Sequence, residues 1–265
     1  MNIPMYQVDA FTSEPFKGNP AAVCVLDTWP DDATLQNIAA ENNLAETAFI
    51  LPSTDEQGYE LRWFTPAVEI DLCGHATLAS AYIVFEFLQP TLESVSFSTM
   101  SGELMVTKTA DSKLRMDFPA RAPTLAPAQI VGPVRDVFGE LALEVWQARD
   151  LLVLLESEIA LREFQPDGVA LSGFKDHFAV IITAPGEEVD FVSRFFAPNA
   201  GIPEDPVTGS AHCTLIPFWA ERLGKQELHA RQLSARTGEL FCENVGERVR
   251  MSGDACLFLR GEIYV

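Results

Sequence analysis

Two short stretches hold most of the residues suited to proton chemistry. One is Leu72-Cys73-Gly74-His75-Ala76-Thr77. The other is Glu204-Asp205-Pro206-Val207-Thr208-Gly209-Ser210-Ala211. In each, a glycine opens an apolar segment of helical spacing, which predicts a helix N-terminus. Such a terminus presents unpaired backbone N–H groups and a partial positive charge. It suits a bound anion or a developing oxyanion. His75 falls in the first turn, where the positive end lowers an imidazole pKa and favours a neutral ring that donates or accepts a proton. A histidine there can equally cap the helix. Asp205 can hold an ammonium or hydrogen-bond His75, but Asp-Pro also favours a plain turn. Thr208 and Ser210 read as helix caps.

A third candidate is Glu46, in Asn43-Leu44-Ala45-Glu46-Thr47-Ala48-Phe49-Ile50. A carboxylate among apolar neighbours is expected to have a raised pKa, the condition for general acid/base work near neutral pH. The alternative is a surface glutamate on a strand edge. Cys73, just before Gly74, has the position of a thiol whose pKa a helix N-terminus lowers. Aligning Gly74 with Gly209 puts Thr208 opposite Cys73, so a facing pair of thiols is absent. Cys73 therefore reads as a small buried hydrophobe. The four histidines show no His-x-x-x-His spacing, no Cys pair accompanies them, and no phosphate-loop or GxGxxG pattern occurs. No metal is expected, and His212 and Cys213 read as core.

The elements that position these residues occur twice. Arg62-Trp63-Phe64-Thr65-Pro66 precedes the first glycine, and Arg194-Phe195-Phe196-Ala197-Pro198 precedes the second. Ser101-Gly102-Glu103-Leu104 is echoed by Thr237-Gly238-Glu239-Leu240, and Lys113-Leu114-Arg115-Met116 by Arg248-Val249-Arg250-Met251. The offsets are 132, 135, 136 and 135 residues. A single long offset implies two halves rather than a solenoid. Packing about a pseudo-twofold axis would let both glycine-led helix starts face one cleft.

Alternation predicts strands over 5–11, 21–26, 45–51, 59–64, 95–97, 104–109 and 114–118, joined mostly as hairpins. A turn is expected at 16–20. Helices are expected over 32–42, capped by Asp31 or Asp32 and ended by Asn43, and over 74–88. A proline-containing linker follows at 120–129. The second half then shows a helix near 133–139, strands near 151–155 and 178–183, a helix over 210–223 and closing strands over 233–265. The class is α+β, with the halves at 1–120 and 121–265. Each half is a curved, mostly antiparallel sheet around one buried helix.

The chain has 265 residues, 48% of them hydrophobic, and a net charge of −20. That charge repels a phosphate backbone, so nucleic acid is not expected as a partner. No apolar run reaches the length of a membrane span, and no signal peptide is evident at the N-terminus. Five scattered cysteines fit reduced thiols in a cytoplasm.

The chain resembles the PhzF-like isomerases of phenazine biosynthesis, which share the diaminopimelate epimerase fold. The matching residues are Asp9-Ala10-Phe11-Thr12 with Gly18-Asn19-Pro20, Asn43-Leu44-Ala45-Glu46-Thr47, Arg62-Trp63-Phe64-Thr65-Pro66, Cys73-Gly74-His75-Ala76-Thr77 and Glu204-Asp205-Pro206-Val207-Thr208-Gly209-Ser210-Ala211. The resemblance implies two similar halves with one active site between them, a homodimer and no cofactor. It implies that Glu46 moves a proton between carbons of a small carboxylated substrate. It also implies that His75 and Asp205 assist, while Asn19, Gly74, Thr208, Gly209 and Ser210 bind. Two-cysteine epimerases of the same fold use a thiol on each side, and Thr208 at the second position argues against that chemistry here. An epimerase, racemase or dehydratase of this fold, or a non-catalytic binder of small anions, are the competing expectations.

Overall fold

The computed structural model describes residues 1–53 and 58–265. The chain divides into two compact units, residues 1–117 with 252–265, and residues 118–251. Both are mixed α and β. A cut near 120 was expected, with everything after it in one half. Instead the last strand returns to the first unit.

In the first unit the order is β1 (Asn2–Ala10), β2 (Asn19–Val25), α1 (Asp32–Asn42), β3 (Glu46–Pro52), β4 (Tyr59–Phe64), β5 (Glu69–Ile70), α2 (Gly74–Ile83), β6 (Ser94–Thr99), β7 (Gly102–Lys108) and β8 (Leu114–Pro119). The second unit follows with β9 (Thr124–Leu125), α3 (Ala128–Phe138), β10 (Glu144–Gln147), β11 (Leu151–Leu154), α4 (Glu158–Glu163), α5 (Gly168–Leu171), β12 (Val180–Pro185), β13 (Phe191–Ala197), β14 (Ile202–Asp205), α6 (Gly209–Leu223), β15 (Glu227–Gln232), β16 (Gly238–Asn244) and β17 (Arg248–Gly253). Strand β18 (Ala255–Tyr264) closes the chain and lies antiparallel to β1.

The duplication is visible in the pairing. In the first unit β1–β2 is antiparallel, β2–β3 parallel, β3–β4 antiparallel and β4–β6 parallel, and β6–β7 is again antiparallel. In the second, β10–β11, β11–β12, β12–β13, β13–β15 and β15–β16 repeat that order of senses. Most sequential joins are antiparallel, as expected, and these four parallel pairs interrupt them. A helix crosses over between the partners of each one, as parallel pairing requires. The expected linker is also structured. Ala120 N–H donates to Glu247 O, and Thr124–Leu125 pairs with β10.

Helix α1 starts and stops where its sequence signals lie. Asp31 caps it by accepting from Thr34 N–H, and Asn43 ends it in the left-handed region. Helix α2 is buried on almost every face, which its lack of charge anticipates. Its buried hydroxyls are satisfied within the helix: Thr77 Oγ1 donates to Cys73 O and Ser80 Oγ to Ala76 O. It packs against β1, β2 and β3. Beyond Ile83 it continues as a π-helical turn, Val84–Leu88.

Helix α6 carries Pro217, which cannot donate to the carbonyl four residues back. That carbonyl, Cys213 O, accepts from Arg121 N–H at 2.8 Å instead. The same helix buries Trp219, whose indole N–H donates to Thr183 Oγ1 at 2.9 Å.

Candidate active site

Three sequence segments converge in the first unit. The turn after β1 brings in Asn19. Gly18 makes this possible: its φ is +63°, and a Cβ there would meet Ala10 O at 2.1 Å. Asp9 braces the same turn by accepting from Phe16 N–H. Phe11 also sits at positive φ, at 63°, an uncommon conformation for an aromatic residue. The start of β3 supplies Glu46, and the first turn of α2 supplies His75, with Cys73 before it. Asn19, Glu46, Cys73 and His75 are all buried.

The Asn19 amide lies 3.2 Å from His75 Nδ1. The other ring nitrogen, Nε2, faces Glu46 Oε2 at 3.0 Å. The approach is short but too poorly aligned to count as a hydrogen bond, so it is a charge contact. Cys73 Sγ lies 3.5 Å from His75 Nδ1. Glu46 is thus isolated in sequence but not in space.

The electrostatics of two groups differ from expectation. Burial alone pushes the His75 ring toward neutrality. The sulfur of Cys73 and the carboxylate of Glu46 push the other way and prevail, so its pKa is held well above the ordinary value. A lowered pKa was expected from the helix N-terminus, but a carboxylate at 3.0 Å outweighs a partial charge. The Cys73 thiol is pushed up, by burial and then by the Glu46 charge, although a helix N-terminus was expected to lower it. No side chain caps the first turn of α2, so its N–H groups are not sealed by a cap.

In the second unit a tighter network holds the turn before α6. Gln232 is fully buried. Its Oε1 accepts from Thr208 N–H at 2.8 Å, and its Nε2 donates to Asp205 O at 2.8 Å and to Thr208 Oγ1 at 3.1 Å. These partners fix the amide orientation, since only the oxygen can face an N–H and only the nitrogen a carbonyl. Thr208 Oγ1, already an acceptor, turns its proton to Asp205 Oδ2. Asp205 Oδ2 is therefore the acceptor of that bond.

Thr208 stands at the cap position of α6 but makes no side-chain cap bond, which corrects its reading as a cap. Ser210 does not cap either. Its Oγ accepts from Arg149 Nη2 at 3.1 Å, while Arg149 also forks onto the buried Asp150 at 2.9 and 2.8 Å. His212 is core, as expected: it donates from Nδ1 to Thr208 O, and burial pushes its pKa down to about 4.

Gln232, Arg149 and Asp150 were missed from the sequence. A signal existed for the first. In β15 the inward positions are Leu228, Ala230 and Gln232, so the glutamine falls on the buried register. Arg149 and Asp150 lie in a turn outside any repeat and gave no such signal.

A family model described as phenazine biosynthesis-like protein matches residues 8–261. The chain belongs to the phenazine biosynthesis-like (PhzF) family. Among curated members, a Pseudomonas aeruginosa protein named as an uncharacterized isomerase is 48% identical over the whole of both chains. A crystal structure of a PhzF-family protein from Enterococcus faecalis matches with a TM-score of 0.95 at 47% identity, covering 100% of each chain. A hydroxyproline epimerase from Agrobacterium vitis matches at a TM-score of 0.60 and 9% identity, over 99% of this chain and 92% of that one. That last likeness shows an epimerase-type fold and nothing more. The PhzF membership makes this an isomerase-like enzyme of α+β class. Among the described residues, no helix is long and apolar enough to cross a membrane.

Proposed function

We propose that the protein is a cofactor-independent isomerase that moves a proton between two carbons of a small carboxylated substrate. The observation that carries this reading is the buried contact between Glu46 Oε2 and His75 Nε2 at 3.0 Å, beside an uncapped helix start. Glu46 removes a proton from a carbon next to a carboxylate or from an allylic carbon, and returns it elsewhere. His75, charged in this setting, steadies the carboxylate and shares the proton. Backbone N–H groups of the first turn at Gly74 hold the substrate carboxylate and the enediolate-like charge. Asn19 orients the substrate. The same reading takes the protein as a cytoplasmic homodimer, which sedimentation equilibrium tests for the assembly state.

A second reading is favoured by Cys73, which touches His75 Nδ1 at 3.5 Å. It makes the protein an epimerase, racemase or dehydratase with the thiol as base. A panel of hydroxylated aromatic and amino-acid carboxylates, incubated in deuterated water, distinguishes the two. The isomerase reading expects deuterium in the product, loss of exchange in Glu46→Gln and near-parental exchange in Cys73→Ala. The reverse pattern selects the thiol chemistry. Binding without exchange for every compound leaves a small-anion binder.

A further inference from the structure

We propose that Glu46, Cys73 and His75 also form a site for one thiophilic divalent cation, such as zinc or cobalt(II). Each offers one ligand atom: a thiol sulfur, an imidazole nitrogen and a carboxylate oxygen. These atoms all lie within 4.8 Å of one another, and all three residues are buried. Sulfur, nitrogen and oxygen together are the donors of zinc-type sites, whereas magnesium and calcium want several oxygens.

The spacing fits. With bonds of about 2.3 Å to sulfur and about 2.0 Å to nitrogen, a tetrahedral ion holds those atoms roughly 3.5 Å apart. Cys73 Sγ and His75 Nδ1 are 3.5 Å apart. The Glu46 carboxylate, 3.0 Å from the other ring nitrogen, supplies the third donor, within 4.8 Å of the other two ligand atoms. The ion displaces the Asn19 amide from Nδ1 and expels the Cys73 proton, so a metal–sulfur bond forms and a hydron leaves to solvent. Two negative ligands then offset the positive end of α2. Sequence spacing gave no hint of this site, because the ligands are drawn from β3 and from the start of α2, 27 residues apart for Glu46 and Cys73.

The ion occupies the same side chains that the isomerase reading uses, so it blocks that activity. The site itself does not depend on that reading, and its test needs no substrate. The reduced full-length protein is titrated with cobalt(II) and followed by absorbance. The expected result is a thiolate-to-cobalt charge-transfer band that saturates at one ion per chain. It is retained when Cys213 and Cys242 are replaced by alanine and lost in Cys73→Ala. Thermal unfolding shows whether that variant is folded. If it is not, His75→Gln keeps the thiol and removes the nitrogen, and loss of the band in the folded His75→Gln protein serves instead. No band in the parent protein overturns the site. So does a band that survives in folded Cys73→Ala, or an undiminished band in folded His75→Gln.

Discussion

Glu46 Oε2 and His75 Nε2 lie 3.0 Å apart, with side chains only 10% and 6% exposed. Neither group stands alone, so each controls what the other can do. The carboxylate favours the protonated form of the imidazole beside it.

Glu46→Gln keeps the length of the side chain but cannot accept a proton at neutral pH. Losing a general acid/base costs typically 10²–10⁴-fold in rate, roughly 3–5 kcal/mol of barrier. Ligand affinity, measured by calorimetry on the same variant, is expected to stay within several-fold of the parent. Exchange of substrate protons with deuterated solvent at the parental rate would remove Glu46 as the base.

The raised pKa of His75 predicts a dependence of stability on alkaline pH. Above the ordinary value of 6.5 the unfolded ring is neutral while the folded ring still holds its proton. The folded state then binds more protons, so stability falls as pH rises through the folded pKa. Below 6.5 both states are protonated and this contribution is fully present. Denaturant titrations across that range are expected to show the fall in the parent and a flatter profile in His75→Gln. Equal slopes in both proteins would show that the ring is not charged.

His212 has the opposite sign. Its pKa drops from 6.5 to about 4 because burial disfavours the charged ring. Between those values the unfolded chain takes a proton that the folded one refuses, so stability declines with acid. The shift is worth on the order of 3 kcal/mol once pH is below both values. His212→Gln is expected to remove about one proton from the acid slope of the unfolding free energy, even if its stability at neutral pH is lower.

Gln232→Glu tests the turn before α6. The new oxygen would face Asp205 O and Thr208 Oγ1, where a donor now sits. Two lost bonds and a buried charge are expected to cost about 3 kcal/mol or more at neutral pH. In acid the glutamate protonates and can donate again, so the deficit relative to the parent is expected to shrink. Thermal midpoints at several pH values measure it, and a deficit that is constant with pH would show that the amide's donor role is not what matters.

Much of the α+β plan was legible because it is written in local signals. The Asp31 cap and the Asn43 stop of α1 are each read within a few residues. The glycine-led helix starts recur at one offset, which made the duplication visible. The parallel pairs were not legible, since β2 and β3 alternate like hairpin partners and only the intervening α1 separates them. Glu46 and His75 could be nominated singly, but their contact joins a strand to a helix and leaves no trace in spacing. For the same reason the direction of the His75 shift was misjudged: its own helix was visible in the sequence, and its neighbour was not.

Strand β1 has β2 on one side and β18 on the other. During synthesis β1 and β2 emerge early, but β18 leaves the ribosome only after the whole of the second unit. Until then one edge of β1 has open backbone donors and acceptors, a template for pairing with another chain. The nascent first unit, which carries Asn19, Glu46 and His75, therefore depends on a strand made after the whole second unit. A premature stop before Ala255 would cripple a unit whose other strands are already made.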